Sequence, residues 1–259
     1  SFKEIVIKSE FKKCVKAINL YKGKPWLTDD QLDGLYEDFT DFGERSLLEN
    51  NQEFLARLNK WQVDENTLNG DQNPVVNIID FDNWLANSFT AINQYRVDTP
   101  GGVKSCIIPD VVLLVNGMPI VVIECKDVNS YTSDPMHQAI EQMLRYADMR
   151  EQEGSNLKEG EPKLFYTNQL MVATHGDDCK FGSITSFEQY YYNWKTIYPD
   201  TTPYIDNTTL QHRKQEQLVQ GMLKPQNLLD LTLNFTLFMD SGKKRIKVIA
   251  RYQQYRAVN

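Results

Sequence analysis

Apolar residues gather most densely between positions 106 and 126, where two β-branched runs flank Asn116-Gly117. An Asn-Gly pair between such runs is a strong hairpin signal, because a tight two-residue turn needs positive φ at both positions. Upstream the period changes. Residues 1–20 carry apolar positions at helical spacing, with Ser9 placed to cap a helix before Glu10. Thr28 followed by Asp29-Asp30-Gln31 is a capping-box pattern. Residues 47–58 form another helical stretch, with Leu48, Leu55 and Leu58 on one stripe. Residues 62–74 are rich in turn formers, 75–81 read as a strand, 89–97 are mixed, and Thr99-Pro100-Gly101-Gly102 breaks the chain. After the hairpin, Asp134-Pro135 starts a helix whose apolar stripe is Met136, Ile140, Met143, Leu144 and Ala147. A strand over 170–173 follows, then a polar turn at Thr174-His175-Gly176-Asp177-Asp178. The pattern predicts an α/β fold: a central mixed β-sheet flanked by helices, with an extra N-terminal helical segment. It divides into a mainly helical part over 1–74, a core over 75–220 and a connecting part over 221–259.

Three ionisable side chains, Asp110, Glu124 and Lys126, interrupt the apolar runs. Burying a charge is costly without a partner or a metal, so two acids and a lysine here point to a working site. Glu124 and Lys126 share a face because strand side chains alternate. Asp110 joins them only if paired positions sum to an even number, whereas a two-residue Asn116-Gly117 loop gives an odd sum. The chemistry therefore predicts either an odd-length loop, with Gly117 left-handed in a three-residue connection, or a β-bulge.

Two carboxylates so placed can hold Mg²⁺, or Mn²⁺ as a substitute, with the Cys125 backbone carbonyl as a further oxygen ligand. Such an ion neutralises a scissile phosphate and activates water. Lys126 would orient that water and stabilise the developing negative charge. The E-x-K triplet alone is weak, since Glu10-Phe11-Lys12 and Glu161-Pro162-Lys163 also carry it. Only Glu124-Cys125-Lys126 ends an apolar strand and follows a Pro-Asp pair, Pro109-Asp110. Gln142 and Tyr146 stand four residues apart on the following helix. They either reach a phosphate or base near the metal or form an ordinary helix edge.

Composition narrows the class further. A chain of 259 residues with 41% hydrophobic and 24% charged content can bury a sizeable core. No apolar run is long enough to cross a bilayer, and residues 1–13 lack a signal peptide's apolar centre. Cys14, Cys106, Cys125 and Cys179 are scattered without a C-x-x-C pair, as expected of reduced, buried thiols in a cytoplasmic protein. His137, His175 and His212 show no zinc-ligand spacing. The net charge of −7 disfavours tight, unaided DNA binding. Lys243-Lys244-Arg245 with Lys247, and His212-Arg213-Lys214, are local basic runs whose simplest reading is solvated surface. Tyr190-Tyr191-Tyr192 with Trp194 and Lys195 either stacks bases or packs on the sheet, and packing is the simpler reading.

The order Pro109-Asp110, apolar strand, Glu124-Cys125-Lys126, then a helix with Gln142 and Tyr146 resembles the PD-(D/E)xK nuclease superfamily in its RecB-like branch. The passages IIPDVVLLVNGMPIVVIECKD, AIEQMLRY and KLFYTNQLMVATHGDDCKFGSITSFEQYYYNWKT are similar to the N-terminal endonuclease domain of type I restriction enzyme R (HsdR) subunits. The similarity runs from about Phe89 onward, and LLDLTLNFTLFMDSGKKRIKVIARYQQYRAV resembles the passage into their motor. It implies a PD-(D/E)xK restriction-endonuclease-like core, metal binding by Asp110 and Glu124, and Lys126 as the catalytic lysine. Gln142 and Tyr146 fall in a motif tied to DNA engagement or its coupling to translocation. Glu10 is the candidate for an acid that many superfamily members add from an early helix. Ile108 departs from the arginine many relatives carry there. The implied substrate is double-stranded DNA, and the implied partners are the methyltransferase (M) and specificity (S) subunits. The chain holds no G-x-x-x-x-G-K-[ST] phosphate loop, since Ser241-Gly242-Lys243-Lys244 lacks the first glycine. ATP is therefore expected only in motor domains, with this chain as the N-terminal part of a larger protein. A non-catalytic docking or coupling module, and an independent repair or junction-resolving nuclease, remain as other readings.

Overall fold

A computed structural model describes residues 4–127, 134–149, 158–200, 213–242 and 244–259. The helices are α1 (Lys8–Ile18), α2 (Asp29–Thr40), α3 (Leu47–Arg57), α4 (Pro135–Tyr146), α5 (Lys214–Gln217), α6 (Pro225–Asn234) and α7 (Tyr252–Val258). Short antiparallel ladders join β1 (Leu20–Tyr21) to β2 (Lys24–Pro25), β3 (Trp61–Gln62) to β4 (Val75–Val76), and β6 (Val97–Asp98) to β7 (Cys106–Ile107). The central sheet contains β5 (Phe89–Asn93), β8 (Val111–Val115), β9 (Met118–Lys126), β10 (Leu170–His175) and β11 (Asp178–Gly182). Its order is β11-β10-β9-β8-β5, with β9 and β10 parallel and the other pairs antiparallel. A separate hairpin joins β12 (Thr236–Ser241) to β13 (Lys244–Ile249). The α/β architecture with a mixed central sheet and N-terminal helices is the one expected.

Local chemistry sets the helix starts. Thr28 Oγ1 accepts the Gln31 N–H at 3.1 Å while Gln31 Oε1 accepts the Thr28 N–H at 3.0 Å, so the expected capping box forms. Ser46 and Glu49 do the same for α3. Asp134 Oδ1 accepts the His137 N–H at 3.0 Å, and Pro135 occupies the first turn of α4. Ser9, by contrast, lies inside α1. That helix starts at Lys8, whose N–H is taken by Glu4 Oε1 at 2.6 Å.

The strand expected over 75–81 shrinks to Val75–Val76. Ile78 and Ile79 are fully buried beyond it, but side-chain amides replace a ladder there. Asn19 exchanges two hydrogen bonds with the backbone of Asn77, and Asn116 Nδ2 donates to the Ile78 carbonyl. Those bonds satisfy buried main chain without a neighbouring strand.

Apolar side chains cover both sheet faces. On one, Val112, Val122, Met171 and Ala173 pack against Ile140 and Met143 of α4. On the other, Val121, Leu170, Val172 and Phe181 join a larger cluster with Phe11, Leu32 and Trp194. Tyr191 and Trp194 are buried, so packing holds for them, although they follow a 3-10 turn (Glu188–Tyr190) instead of lying on a helix. Lys247 departs from the basic-run reading: it is buried on β13, facing the core. Lys243 and His212 lie outside the described residues. Among the described residues no helix is long and apolar enough to cross a membrane.

Candidate active site

Asn116 and Gly117 form a two-residue turn, both with positive φ (49° and 80°), pairing Val115 with Met118. The odd-length loop does not form. The bulge does. Leu114 pairs with Pro119 but Leu113 pairs with Val121, leaving Ile120 as the extra residue on β9. The Ile120 carbonyl accepts the Gln169 N–H at 2.7 Å, so the bulged residue is not left unsatisfied. From there Val112 pairs with Val122 and Val111 with Ile123, and one further step sets Asp110 opposite Glu124. The three charges thus share a face.

Asp110 stands just before β8 and is half-buried. Its Oδ2 accepts the Cys125 N–H at 2.8 Å, and its Oδ1 accepts from Gln94 Nε2 at 3.1 Å. Glu124 is only 1% exposed. Its Oε1 accepts from Lys126 Nζ at 3.0 Å and from Gln142 Nε2, while its Oε2 is buried with no hydrogen-bond partner. Burial pushes the Glu124 carboxyl up to about 7; Lys126 opposes that rise and the Asp110 charge adds to it. Lys126 also donates to Gln142 Oε1 at 2.7 Å.

Gln142 and Tyr146 reach the site from α4. Gln142 Nε2 donates to the Tyr146 hydroxyl at 2.6 Å, and that hydroxyl donates to the Ile108 carbonyl at 3.3 Å. The pair thus links Lys126 and Glu124 to the segment before Asp110. The Ile108 side chain is exposed.

Glu10 is not brought here. Its carboxylate accepts from the Cys14 thiol and pairs with Lys13. Its helix docks on the hairpin turn, where the Ile7 N–H donates to the Gly117 carbonyl at 2.9 Å. That is the end of β8 and β9 opposite to Asp110 and Glu124, and α1 covers the wrong end to lend an acid. Gln94 is the contact that sequence reasoning missed, since nothing local marks a glutamine after an edge strand as a carboxylate partner.

All four cysteines are free. Cys14 and Cys179 are buried as expected, but Cys125 is exposed and Cys106 partly so. Among the described residues no group of three or more His, Cys, Asp or Glu side chains comes together as a metal cage. Two carboxylates with one orphaned oxygen still suit a hard divalent ion, which readily completes its shell with water and main-chain oxygen.

The sequence profile of a family described as the type I restriction enzyme R protein N terminus matches residues 1–189. The chain is 30% identical over 98% of its length to the type I restriction enzyme HindI endonuclease subunit of Haemophilus influenzae. It is 25% identical over its full length to a putative type I restriction enzyme MjaIXP endonuclease subunit of Methanocaldococcus jannaschii. The alignments cover 22% and 24% of those two proteins, so the chain spans under a quarter of the length of either. The profile match and the near-complete alignment agree: the chain belongs to the family of type I restriction enzyme R protein N termini.

Proposed function

We propose that this chain is the Mg²⁺-dependent nuclease domain of a type I restriction enzyme R subunit and cuts phosphodiester bonds of double-stranded DNA. One observation carries the reading: Asp110, one residue beyond the Val111–Ile123 pair, accepts the Cys125 N–H next to Glu124, and Glu124 keeps a buried oxygen without a donor. Such an orphan is unfavourable unless a cation or proton meets it. Asp110, Glu124 and the Cys125 carbonyl would hold Mg²⁺, with Mn²⁺ as a substitute. When bound, the ion neutralises the scissile phosphate and lowers the pKa of water.

The protein's own groups do the rest. Lys126, held between Glu124 and Gln142, donates N–H groups to the attacking water and to the phosphate oxygens as negative charge develops. Gln142 keeps Lys126 and Glu124 at a set separation, and Tyr146 holds Gln142. This bracing is how the pair would couple DNA engagement to cutting. Sequence choice and methylation belong to the M and S subunits, and ATP-driven translocation to motor domains of the longer protein, all in the cytoplasm.

The test is Lys126→Ala in the full-length R subunit, assembled with its M and S partners. The variant should hydrolyse ATP at the parental rate yet leave plasmid DNA uncut. Cutting at the parental rate would overturn the assignment.

A further inference from the structure

β10 runs parallel to β9 in a register that sets Ala173 beside Glu124 and His175 beside Lys126. Register partners on neighbouring strands point to the same side and lie about 5 Å apart. His175 therefore flanks Lys126 on the site face, one strand over. Ala173, fully buried and small, leaves the space beside Glu124 uncrowded.

The backbone at His175 is clamped from two sides. It pairs with Lys126 on β9 and, across the Gly176-Asp177 turn, with Asp178 on β11. Gly176 takes φ 54° there. A side chain delivered from such an edge is well placed by its scaffold. The imidazole is partly exposed, and no hydrogen bond or ion pair occupies it among the described residues. His137 differs: its Nδ1 lies 2.7 Å from Glu188 Oε2. The opposite face at this edge is also occupied, for Thr174 Oγ1 is bonded to Gln215 and to the Asp178 carbonyl.

We propose that His175 is a DNA-contacting residue of this site, donating an imidazole N–H to a backbone phosphate next to the one that faces Lys126. The inference rests on the nuclease reading above. An N–H bond to a phosphate oxygen is charge-assisted, and such contacts orient a duplex without reading its sequence. With net charge −7, the chain depends on a few well-placed donors to hold an anionic substrate.

The experiment titrates a short DNA duplex, in Ca²⁺, into the 259-residue chain and its His175→Ala and His175→Lys variants, with thermal melting as a check on folding. His175→Ala should weaken duplex binding about tenfold, the scale of one hydrogen bond to a charged group. His175→Lys should retain parental affinity, because an ammonium also grips a phosphate. Parental affinity in the alanine variant, equal loss in both variants, or no measurable binding by the parent would each overturn the proposal. The nuclease reading is judged separately: a Lys126→Ala protein that still cuts sinks that reading without touching the affinity difference at His175.

Discussion

Asp110 Oδ2 accepts the Cys125 N–H at 2.8 Å, so the first carboxylate is tied to the strand that carries the second. Asp110→Asn keeps the shape but sets an amide NH₂ against one of the two donors that now face oxygen. Even outer partners of a metal are worth about 10–100-fold in affinity or activity, and a ligand should be worth more. Calorimetric titration with Mn²⁺ should therefore show affinity reduced by more than about tenfold. Superimposable isotherms for parent and variant would remove Asp110 from the metal role.

Burial of the Glu124 carboxyl gives the fold a pH dependence. Its folded value, about 7, lies above the ordinary 4.5, so the metal-free fold prefers the protonated form. The stability this contributes is complete below 4.5 and is lost as pH rises through about 7, a change on the order of 3 kcal/mol. Glu124→Gln, neutral throughout, should resist urea better than the parent at about pH 8 and equally well at about pH 4. Divalent-metal affinity of the parent should climb with pH through the same region, because the ion must displace a proton. A flat affinity profile would contradict the buried-acid assignment.

Gln142→Leu separates bracing from direct DNA contact. It removes a donor from Glu124 and an acceptor from Lys126. Cutting should fall about 10–100-fold, as for loss of other outer partners, while duplex affinity in a mobility-shift assay stays unchanged. A matching drop in affinity would make Gln142 a DNA ligand instead.

Gly117→Ala tests the turn. An added Cβ would sit 2.9 Å from the Ile7 carbonyl oxygen and 3.0 Å from the Phe11 nitrogen, at φ 80°. Strain of this kind costs roughly 1–3 kcal/mol, and the melting temperature should drop by several degrees. Gly23→Ala is the control, with φ 78° but nothing within 4 Å of the new atom. It should lose only the left-handed backbone cost of an L residue, about 1 kcal/mol. Equal losses would show that α1 does not press on the hairpin.

Lys247 gives a second titration of opposite character. Its ammonium is buried against Asn51 Oδ1, the Asn168 carbonyl and Gln169 Oε1, at 2.8–2.9 Å. Burial lowers its pKa well below 10.5, so the unfolded chain binds more protons and stability rises as pH climbs toward that value. Lys247→Met should abolish the rise in chemical denaturation curves across that range. An unchanged slope would place the titration elsewhere.

Much of the site was legible without coordinates. Alternation put Glu124 and Lys126 on one face, and parity then demanded an irregularity if Asp110 was to join them. The capping residues Thr28 and Asp134 act over three positions, so they too could be read directly. Which irregularity would form was not legible. Ile120 bulges where a buried backbone can be satisfied by the Gln169 N–H, a partner that no local pattern reveals. For the same reason Glu10 looked eligible and is not. Its helix is docked on the Gly117 end by a contact between distant segments.

Interactions spanning a few residues made the hairpin turn, the Thr28 and Asp134 caps and the shared face of Glu124 and Lys126 readable from the chain alone, but not the end of the strand at Val76 or the start of the first helix before Ser9. Long-range packing set the rest: Gln94 and Gln142 hold the carboxylates, His175 stands beside Lys126, and Lys247 turns inward. Those outcomes depend on strand order and on which polar groups lose water together. Neither leaves a periodic trace along the chain.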